Sequence, residues 1–120
     1  MHHIGVDIVE IGRVERAIAR SGESFLCRVY TQAELETYRG RTSSLAARFA
    51  AKEAVIKALG GFHGGSFGDI EVLSEPSGRP YIRLYGAIKR RADSVGVKGF
   101  DISISHCREY AVAFVIGRDS

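Results

Sequence analysis

Two charged residues, one helical turn apart, are the first candidates for chemistry in this chain of 120 residues. Glu53 and Lys57 lie in the segment RFAAKEAVIKALGG, which is rich in helix-forming residues and ends at a glycine pair. A carboxylate can bind a hard metal ion, and an ammonium can bind a phosphate oxygen. The same spacing is also common for a plain surface ion pair, which stabilises a helix by about 0.2–0.5 kcal/mol. The pair alone leaves both interpretations open.

Asp7 raises a related question, because it interrupts a β-branched segment, residues 2–9, that is typical of a buried strand. A buried carboxylate is unfavourable unless it is paired or bound to a metal. Asp7 either lies on a solvated face of the sheet or meets Glu53 across a strand–helix contact. In the second case the two carboxylates could bind Mg²⁺ jointly.

The helix that carries Glu53 is predicted from about residue 43 to residue 59. At about 100° per residue, its apolar side chains form one core stripe. Lys52 falls inside that stripe, whereas Glu53 and Lys57 fall along one edge of it. Lys52 either extends its stem to solvent or reaches the same ligand as its neighbours. The predicted stripe consists of Leu45, Phe49 and Ile56, with Leu59 nearby.

Arginines form a second feature. Arg13, Arg16 and Arg20 recur at i, i+3 and i+7 on a helix predicted over residues 11–20, so they form one basic stripe. The net charge of +3 favours an acidic partner, although a merely solvated surface is the plain alternative. Neither an RNA-binding aromatic signature nor a helix-turn-helix pattern is evident, so we predict no nucleic-acid partner.

The cysteines and the lengths of the apolar segments indicate the cellular compartment. Cys27 and Cys107 are far apart and form no CxxC motif, which favours two free thiols, although a disulfide stays open. No basic segment followed by a long apolar run begins the sequence, and no apolar run approaches the roughly 20 residues of a membrane span. We therefore predict a cytoplasmic protein without a membrane partner.

The remaining elements indicate an α+β fold. Helices and strands are mixed without strict alternation, and hairpins dominate the second half of the chain. We predict one domain over residues 1–120, a largely antiparallel sheet packed against the long central helix. Besides the segments above, the predicted elements are a helix over 31–38 that begins with a Thr31–Glu34 capping box, strands over 69–74 and 80–85, a helix over 86–95, and a hairpin of strands over 100–106 and 109–116.

Three polar features have plain interpretations that stay open. His106 ends a predicted strand, where a histidine is more often structural or exposed than a ligand contact. Arg79 follows a Ser-Gly turn, where it either binds an anion or is simply solvated. The glycine-rich loop 60–68 follows a helix instead of preceding one, so it is not a P-loop.

Three segments together are similar to the phosphopantetheinyl transferases, in particular the short holo-acyl-carrier-protein synthase type. They are IGVDIVEI at residues 4–11, RFAAKEAVIKA at 48–58, and SISH at 103–106 with YAVA at 110–113. Their order and spacing match over essentially the whole chain. The resemblance implies the Mg²⁺-dependent transfer of 4′-phosphopantetheine from coenzyme A to a serine of apo acyl carrier protein, with release of adenosine 3′,5′-bisphosphate. It also implies a homotrimer with sites between subunits.

The resemblance implies roles for individual residues. Asp7 and Glu53 are expected to be the Mg²⁺ ligands, and Lys57 is expected to contact the pyrophosphate of coenzyme A. Glu53, or a metal-bound water that it orients, is the candidate base for the carrier serine. Larger transferases often carry a second carboxylate at the position of Val9, and water is expected to complete the metal shell here.

Further residues are expected around the substrates. His106 is expected to help bind coenzyme A at a subunit boundary. The lesser candidates for the phosphates of the nucleotide are Arg48, Lys52 and Arg79. The stripe of Arg13, Arg16 and Arg20 is expected to dock the acidic carrier protein and to speed their encounter.

Two functions from other classes remain as alternatives. One is a small binding module that docks nucleic acid through its arginines, with a steep dependence on salt. The other is a Mg²⁺-dependent phosphohydrolase that uses the same carboxylates and needs no carrier protein.

Overall fold

The structure of the chain is a computed structural model that describes residues 2–120. Strands and helices follow one another without strict alternation. In chain order they are β1 (His3–Glu10), α1 (Ile11–Ser21), α2 (Glu23–Val29), α3 (Gln32–Tyr38), α4 (Thr42–Ala58), β2 (Ile70–Ser74), β3 (Pro80–Leu84), α5 (Gly86–Ser94), β4 (Gly99–His106) and β5 (Tyr110–Arg118), with a 3₁₀ turn at Phe67–Asp69 before β2.

Two antiparallel sheets account for all five described strands. The larger sheet has the order β1-β5-β4, and its register places Asp7 opposite Ala113, which in turn lies opposite Ile104. The smaller sheet is the β2–β3 hairpin. The predicted α+β class with a largely antiparallel sheet is confirmed.

The long helix α4 lies at the centre of the molecule. It packs on β1 and β5, and it also contacts α1, α3 and β2. Its alanines are buried on several sides, while Phe49 is only half-buried. The prediction of a single core stripe with charged edges is therefore wrong, because neighbouring elements surround most of the helix and small residues let them approach.

One glycine brings β1 unusually close to α4. A Cβ atom on Gly5 would lie 1.8 Å from the carbonyl oxygen of Ala54, a distance that no side chain tolerates. The glycine therefore allows the strand and helix backbones to touch. Asp7, two residues further along β1, points to the same side of the sheet as Gly5 and so faces α4.

The short helix α2 was not predicted from the sequence. Gly22 adopts a φ of +50° between α1 and α2, so the chain turns there instead of continuing one longer helix. The seven residues of α2 form fewer than two full turns, too few for a clear periodic pattern. Its apolar residues Phe25, Leu26 and Val29 are buried, and packing stabilises the helix where local propensity does not.

Two smaller predictions can also be compared with the structure. Cys27 and Cys107 are both exposed and free, as the interpretation of two free thiols predicts. Over residues 2–120, every helix is too short or too polar to cross a bilayer.

Candidate active site

Asp7, Glu53 and Lys57 meet where β1 packs against α4. The Nζ atom of Lys57 donates hydrogen bonds to Asp7 Oδ1 at 2.8 Å and to the Val6 carbonyl oxygen at 3.1 Å. The Asp7 side chain retains 17% of its exposure, and that of Lys57 retains 56%. The ion pair therefore lies at a rim, with the carboxylate largely covered and the ammonium open to solvent.

Glu53 lies one helical turn before Lys57 and is half-buried. Burial and the negative charge of Asp7 raise the pKa of Glu53, while Lys57 and Arg13 act in the opposite direction and lower it. These four groups are thus close enough to influence one another electrostatically. The site combines two carboxylates that repel each other with two cations that partly offset the repulsion.

This donor set fits a hard dication. Carboxylate oxygens are preferred ligands of Mg²⁺, and a dication between Asp7 and Glu53 would relieve the repulsion that raises the pKa of Glu53. Within residues 2–120, no group of three or more His, Cys, Asp or Glu side chains is arranged to hold a metal. Mg²⁺ sites that act on phosphates typically use one or two carboxylates and complete the shell with water and phosphate oxygens, and Asp7 and Glu53 fit that pattern.

Lys52 requires a correction. Its side chain is completely buried, and Nζ donates hydrogen bonds to Glu34 Oε1 at 2.7 Å and to the carbonyl oxygens of Ile70 at 2.5 Å and Phe67 at 3.1 Å. All three ammonium protons are thereby used. The prediction that Lys52 contacts a nucleotide phosphate is wrong, and its stem does not extend to solvent either.

Arg48 and His106 line a second cleft of about 540 Å³ on the β4 side of α4. The Arg48 guanidinium is buried, stacks on the Tyr38 ring at 3.9 Å, and donates from Nη2 to Tyr38 Oη and Ser74 Oγ, each at 2.9 Å. Its buried Nε has no partner among residues 2–120. Arg41, which was not predicted as a site residue, lines the same cleft. The cleft therefore presents cationic and hydroxyl groups that suit a phosphate.

Arg79 lies apart from both groups. It is exposed in the turn between β2 and β3, and it lines a separate depression together with Tyr81 and Asp101. Glu75 and Gly78 of the same turn line the cleft of Arg48 and His106, whereas Arg79 itself does not. The structure therefore does not bring Arg79 together with the other predicted phosphate contacts.

The two groups of site residues lie on different sides of α4. Asp7 belongs to β1 and His106 to β4, and these strands form the opposite edges of the three-stranded sheet. Arg48 and Glu53 are five residues apart on α4, which rotates their side chains by about 140° around the helix axis. A single chain thus carries two separate groups of candidate site residues.

A groove lined by four arginines lies between α1 and α2. It encloses about 420 Å³, and its walls include Phe25 and Ala17. Arg13 is also close enough to lower the pKa of Glu53, so this basic groove begins beside the carboxylates. Arg28 was not predicted as a docking residue because α2 was not predicted. The arginines are Arg13, Arg16, Arg20 and Arg28.

The outer face of the larger sheet is apolar and exposed. Ile8 is 63% exposed and Ile4 is 55% exposed. Both belong to the β-branched segment 2–9, whose sequence is typical of a buried strand. Val6 lies opposite Phe114, which is 40% exposed on β5. Contiguous apolar faces of this kind mark interaction surfaces.

Comparisons with known proteins agree with this geometry. Residues 3–115 match the family model of the 4′-phosphopantetheinyl transferase superfamily. The holo-[acyl-carrier-protein] synthase of Dehalococcoides mccartyi (strain CBDB1) is 50% identical over 119 residues, which cover 99% of this chain and 100% of that protein. The chain therefore belongs to the 4′-phosphopantetheinyl transferase superfamily, and within it to the holo-[acyl-carrier-protein] synthases, as the sequence predicts.

Solved structures show the same fold. The holo-[acyl-carrier-protein] synthase of Helicobacter pylori in complex with coenzyme A superposes with a TM-score of 0.86 at 36% identity, covering 96% of this chain and 99% of that one. The enzyme of Neisseria meningitidis gives a TM-score of 0.87 at 31% identity, with 97% of each chain covered. The predicted enzyme class, a transferase, is confirmed.

Proposed function

We propose that the chain transfers 4′-phosphopantetheine from coenzyme A to a serine hydroxyl of apo acyl carrier protein, with Mg²⁺ as cofactor. The observation that carries this proposal is the meeting of Asp7, Glu53 and Lys57 beside the basic groove. Carboxylates for a dication, an ammonium for a phosphate and a surface for an acidic protein are then contiguous. A cytoplasmic location remains our prediction.

Asp7 and Glu53 are the residues that would hold Mg²⁺. When bound, the ion neutralises charge on the pyrophosphate and stabilises the leaving phosphate. Lys57 has a flexible stem and an exposed head group, so it can donate to a pyrophosphate oxygen and offset the charge that develops there. Arg48, Arg41 and His106 would bind the phosphate of the nucleotide end in their own cleft.

The proposed transfer is a single displacement at phosphorus. The oxygen of the carrier serine forms a bond to the phosphorus that bears the pantetheine arm, and the bond from that phosphorus to the bridging oxygen of the pyrophosphate breaks. Adenosine 3′,5′-bisphosphate leaves with the bridging oxygen. Glu53, whose carboxylate is held on a rigid helix, would accept the proton of the serine hydroxyl directly or through a water that it orients.

The basic groove would dock the carrier protein. An acidic helical surface is complementary to the four arginines, and such complementarity raises the rate of encounter. We expect charge reversal at Arg13 or at Arg20 to raise KM for the carrier and to leave coenzyme A binding unchanged. Arg20→Glu is the cleaner variant, since Arg13 also influences Glu53. The matched control is Arg90→Glu, which reverses an exposed charge on α5. If the Arg13, Arg20 and Arg90 variants all had the wild-type KM for the carrier, docking would lie elsewhere.

A homotrimer would join the Asp7 group of one subunit and the His106 cleft of another into one complete site. The apolar outer face of the larger sheet is available for self-association, and a neighbouring subunit could bring its His106 cleft to the Asp7 group of the first. We expect light scattering to give three times the mass of the chain. Phe114→Glu should lower that mass, whereas Phe62→Glu, which changes an equally exposed phenylalanine in the loop after α4, should not.

The direct test is mass spectrometry of an apo acyl carrier protein incubated with this protein, coenzyme A and Mg²⁺. We expect the carrier to gain one phosphopantetheine, dependent on metal and lost in Glu53→Gln. Glu36→Gln, which changes an exposed carboxylate on α3, should retain the transfer. Cleavage of coenzyme A without any carrier would indicate the phosphohydrolase instead.

A further inference from the structure

We propose that Lys57 is the resident counter-ion of Asp7 and changes partner when coenzyme A binds, so that metal and coenzyme A bind cooperatively. This inference rests on the proposed function and adds a coupling between its two ligands.

The position of the ammonium carries the argument. Lys57 Nζ lies 2.8 Å from Asp7 Oδ1 and 3.1 Å from the Val6 carbonyl oxygen. The Lys57 ammonium therefore occupies one carboxylate oxygen of Asp7, a proposed metal ligand, and the carbonyl oxygen of Val6. A dication that uses Asp7 must displace this ammonium or lie close to it, and either arrangement weakens metal binding to the free protein.

Lys57 is able to leave. Its side chain is 56% exposed, so the head group keeps access to water and the pair is weakly held. The lysine stem has four flexible methylene groups, and within residues 2–120 its ammonium donates hydrogen bonds only to Asp7 and the Val6 carbonyl. The ammonium can therefore swing away without breaking other interactions of α4.

The pyrophosphate of coenzyme A supplies the alternative partner. A phosphate oxygen accepts a charge-assisted hydrogen bond from the ammonium, and Lys57 then no longer occupies Asp7. Asp7 becomes available to the metal together with Glu53. Because coupling between two ligands is reciprocal, coenzyme A should strengthen metal binding by the same factor by which metal strengthens coenzyme A binding.

The test is calorimetric titration of Mn²⁺ into the protein, first alone and then saturated with coenzyme A in the absence of carrier protein. We expect Lys57→Met to bind Mn²⁺ about three- to tenfold more tightly than the wild type when coenzyme A is absent, since an exposed ion pair and a unit charge beside a dication contribute on that order. We also expect coenzyme A to enhance Mn²⁺ affinity less in Lys57→Met than in the wild type.

Lys89→Met is the matched control, because Lys89 forms an exposed ion pair with Asp93 on α5 and should leave Mn²⁺ affinity unchanged. Equal or weaker Mn²⁺ binding to free Lys57→Met would overturn the partner exchange. Failure of the proposed function looks different: Mn²⁺ binding would then be the same in Asp7→Asn as in the wild type, with and without coenzyme A.

Discussion

Two lysines of α4 form ion pairs with carboxylates of other elements, and the two pairs have opposite environments. Lys52 and Glu34 are completely buried, and they form hydrogen bonds to backbone groups of β2 and of the 3₁₀ turn before it. Lys57 and Asp7 lie at a rim, where the lysine is more than half exposed. The two lysines are only five residues apart in the sequence, yet one is fixed in the core and the other is free to change its partner.

The difference shows that charge type does not decide the role of a residue. The Glu34–Lys52 pair joins α3, α4 and β2, because Glu34 also accepts a hydrogen bond from the Val72 amide at 2.7 Å. Separating these charges would leave one of them unpaired in the core. The Asp7–Lys57 pair is screened by water and can be opened with little loss of stability, which suits a site that binds ligands.

The largest expected effect is on the buried pair. Lys52→Ala leaves the Glu34 carboxylate without its cation, so we expect the free energy of unfolding to fall by about 3–5 kcal/mol. Urea denaturation monitored by circular dichroism measures this loss.

The rim pair supplies the comparison for that measurement. Lys57→Ala should lose no more than about 1 kcal/mol in the same experiment. A double variant, Glu34→Leu with Lys52→Met, should be more stable than Lys52→Ala because no unpaired charge remains. Equal losses at the two lysines would show that the contrast between the pairs is not real.

The next effect concerns the contact that places Asp7 against α4. Gly5→Ala introduces a Cβ atom 1.8 Å from the Ala54 carbonyl oxygen, so β1 must move away. We expect a loss of about 1–3 kcal/mol in the free energy of unfolding, as for other overpacked cores, together with weaker Mn²⁺ binding.

Gly12→Ala on α1 is the control, because its nearest neighbour is the far end of the flexible Arg16 side chain. A Gly5→Ala protein with wild-type stability and wild-type metal affinity would contradict the role assigned to the close strand–helix contact.

The smallest expected effect is the pH dependence at Glu53. Because its folded pKa is raised above 4.5, the folded state binds the proton more tightly than the unfolded state, and stability from this group falls as pH rises from about that value. Glu53→Gln removes this penalty. The variant should therefore be more stable than the wild type at pH 7, by less than about 1 kcal/mol after solvent screening.

The difference between Glu53→Gln and the wild type should shrink as the pH falls toward 4.5, the ordinary pKa of the carboxyl, and should change little below that value. Thermal unfolding of both proteins across this pH range measures this difference, with Glu75→Gln as a control at an exposed carboxylate. A variant that is less stable at pH 7 would show that Glu53 is stabilised as a charge, not penalised.

Local signals predicted much of the fold. The Thr31–Glu34 capping box is present as predicted, with both reciprocal hydrogen bonds formed. The hairpins and α4 were also found, because strand alternation and helix propensity act over neighbouring residues. The helix α2 was missed since its stability comes from packing and not from its own seven residues.

The site was predicted unevenly for a physical reason. The resemblance singled out Asp7, Glu53 and Lys57, and the structure brings them together. Lys52 was misassigned because its partner Glu34 lies 18 residues earlier and was interpreted only as a helix cap. Such tertiary pairing leaves no mark in local periodicity.

We propose that the rim pair of Asp7 and Lys57 serves the transfer, whereas the buried pair of Glu34 and Lys52 supports the fold. The most direct measurement is the rate of phosphopantetheine transfer per folded molecule, by mass spectrometry of the carrier, for Lys57→Met and for the double variant Glu34→Leu with Lys52→Met. We expect Lys57→Met to fold normally and to lose about 100-fold or more in rate, as for other groups that stabilise developing charge. The double variant should stay within about tenfold of the wild type, because the rate is counted per folded molecule and both side chains are completely buried. A slower rate for the double variant than for Lys57→Met would contradict this division of roles.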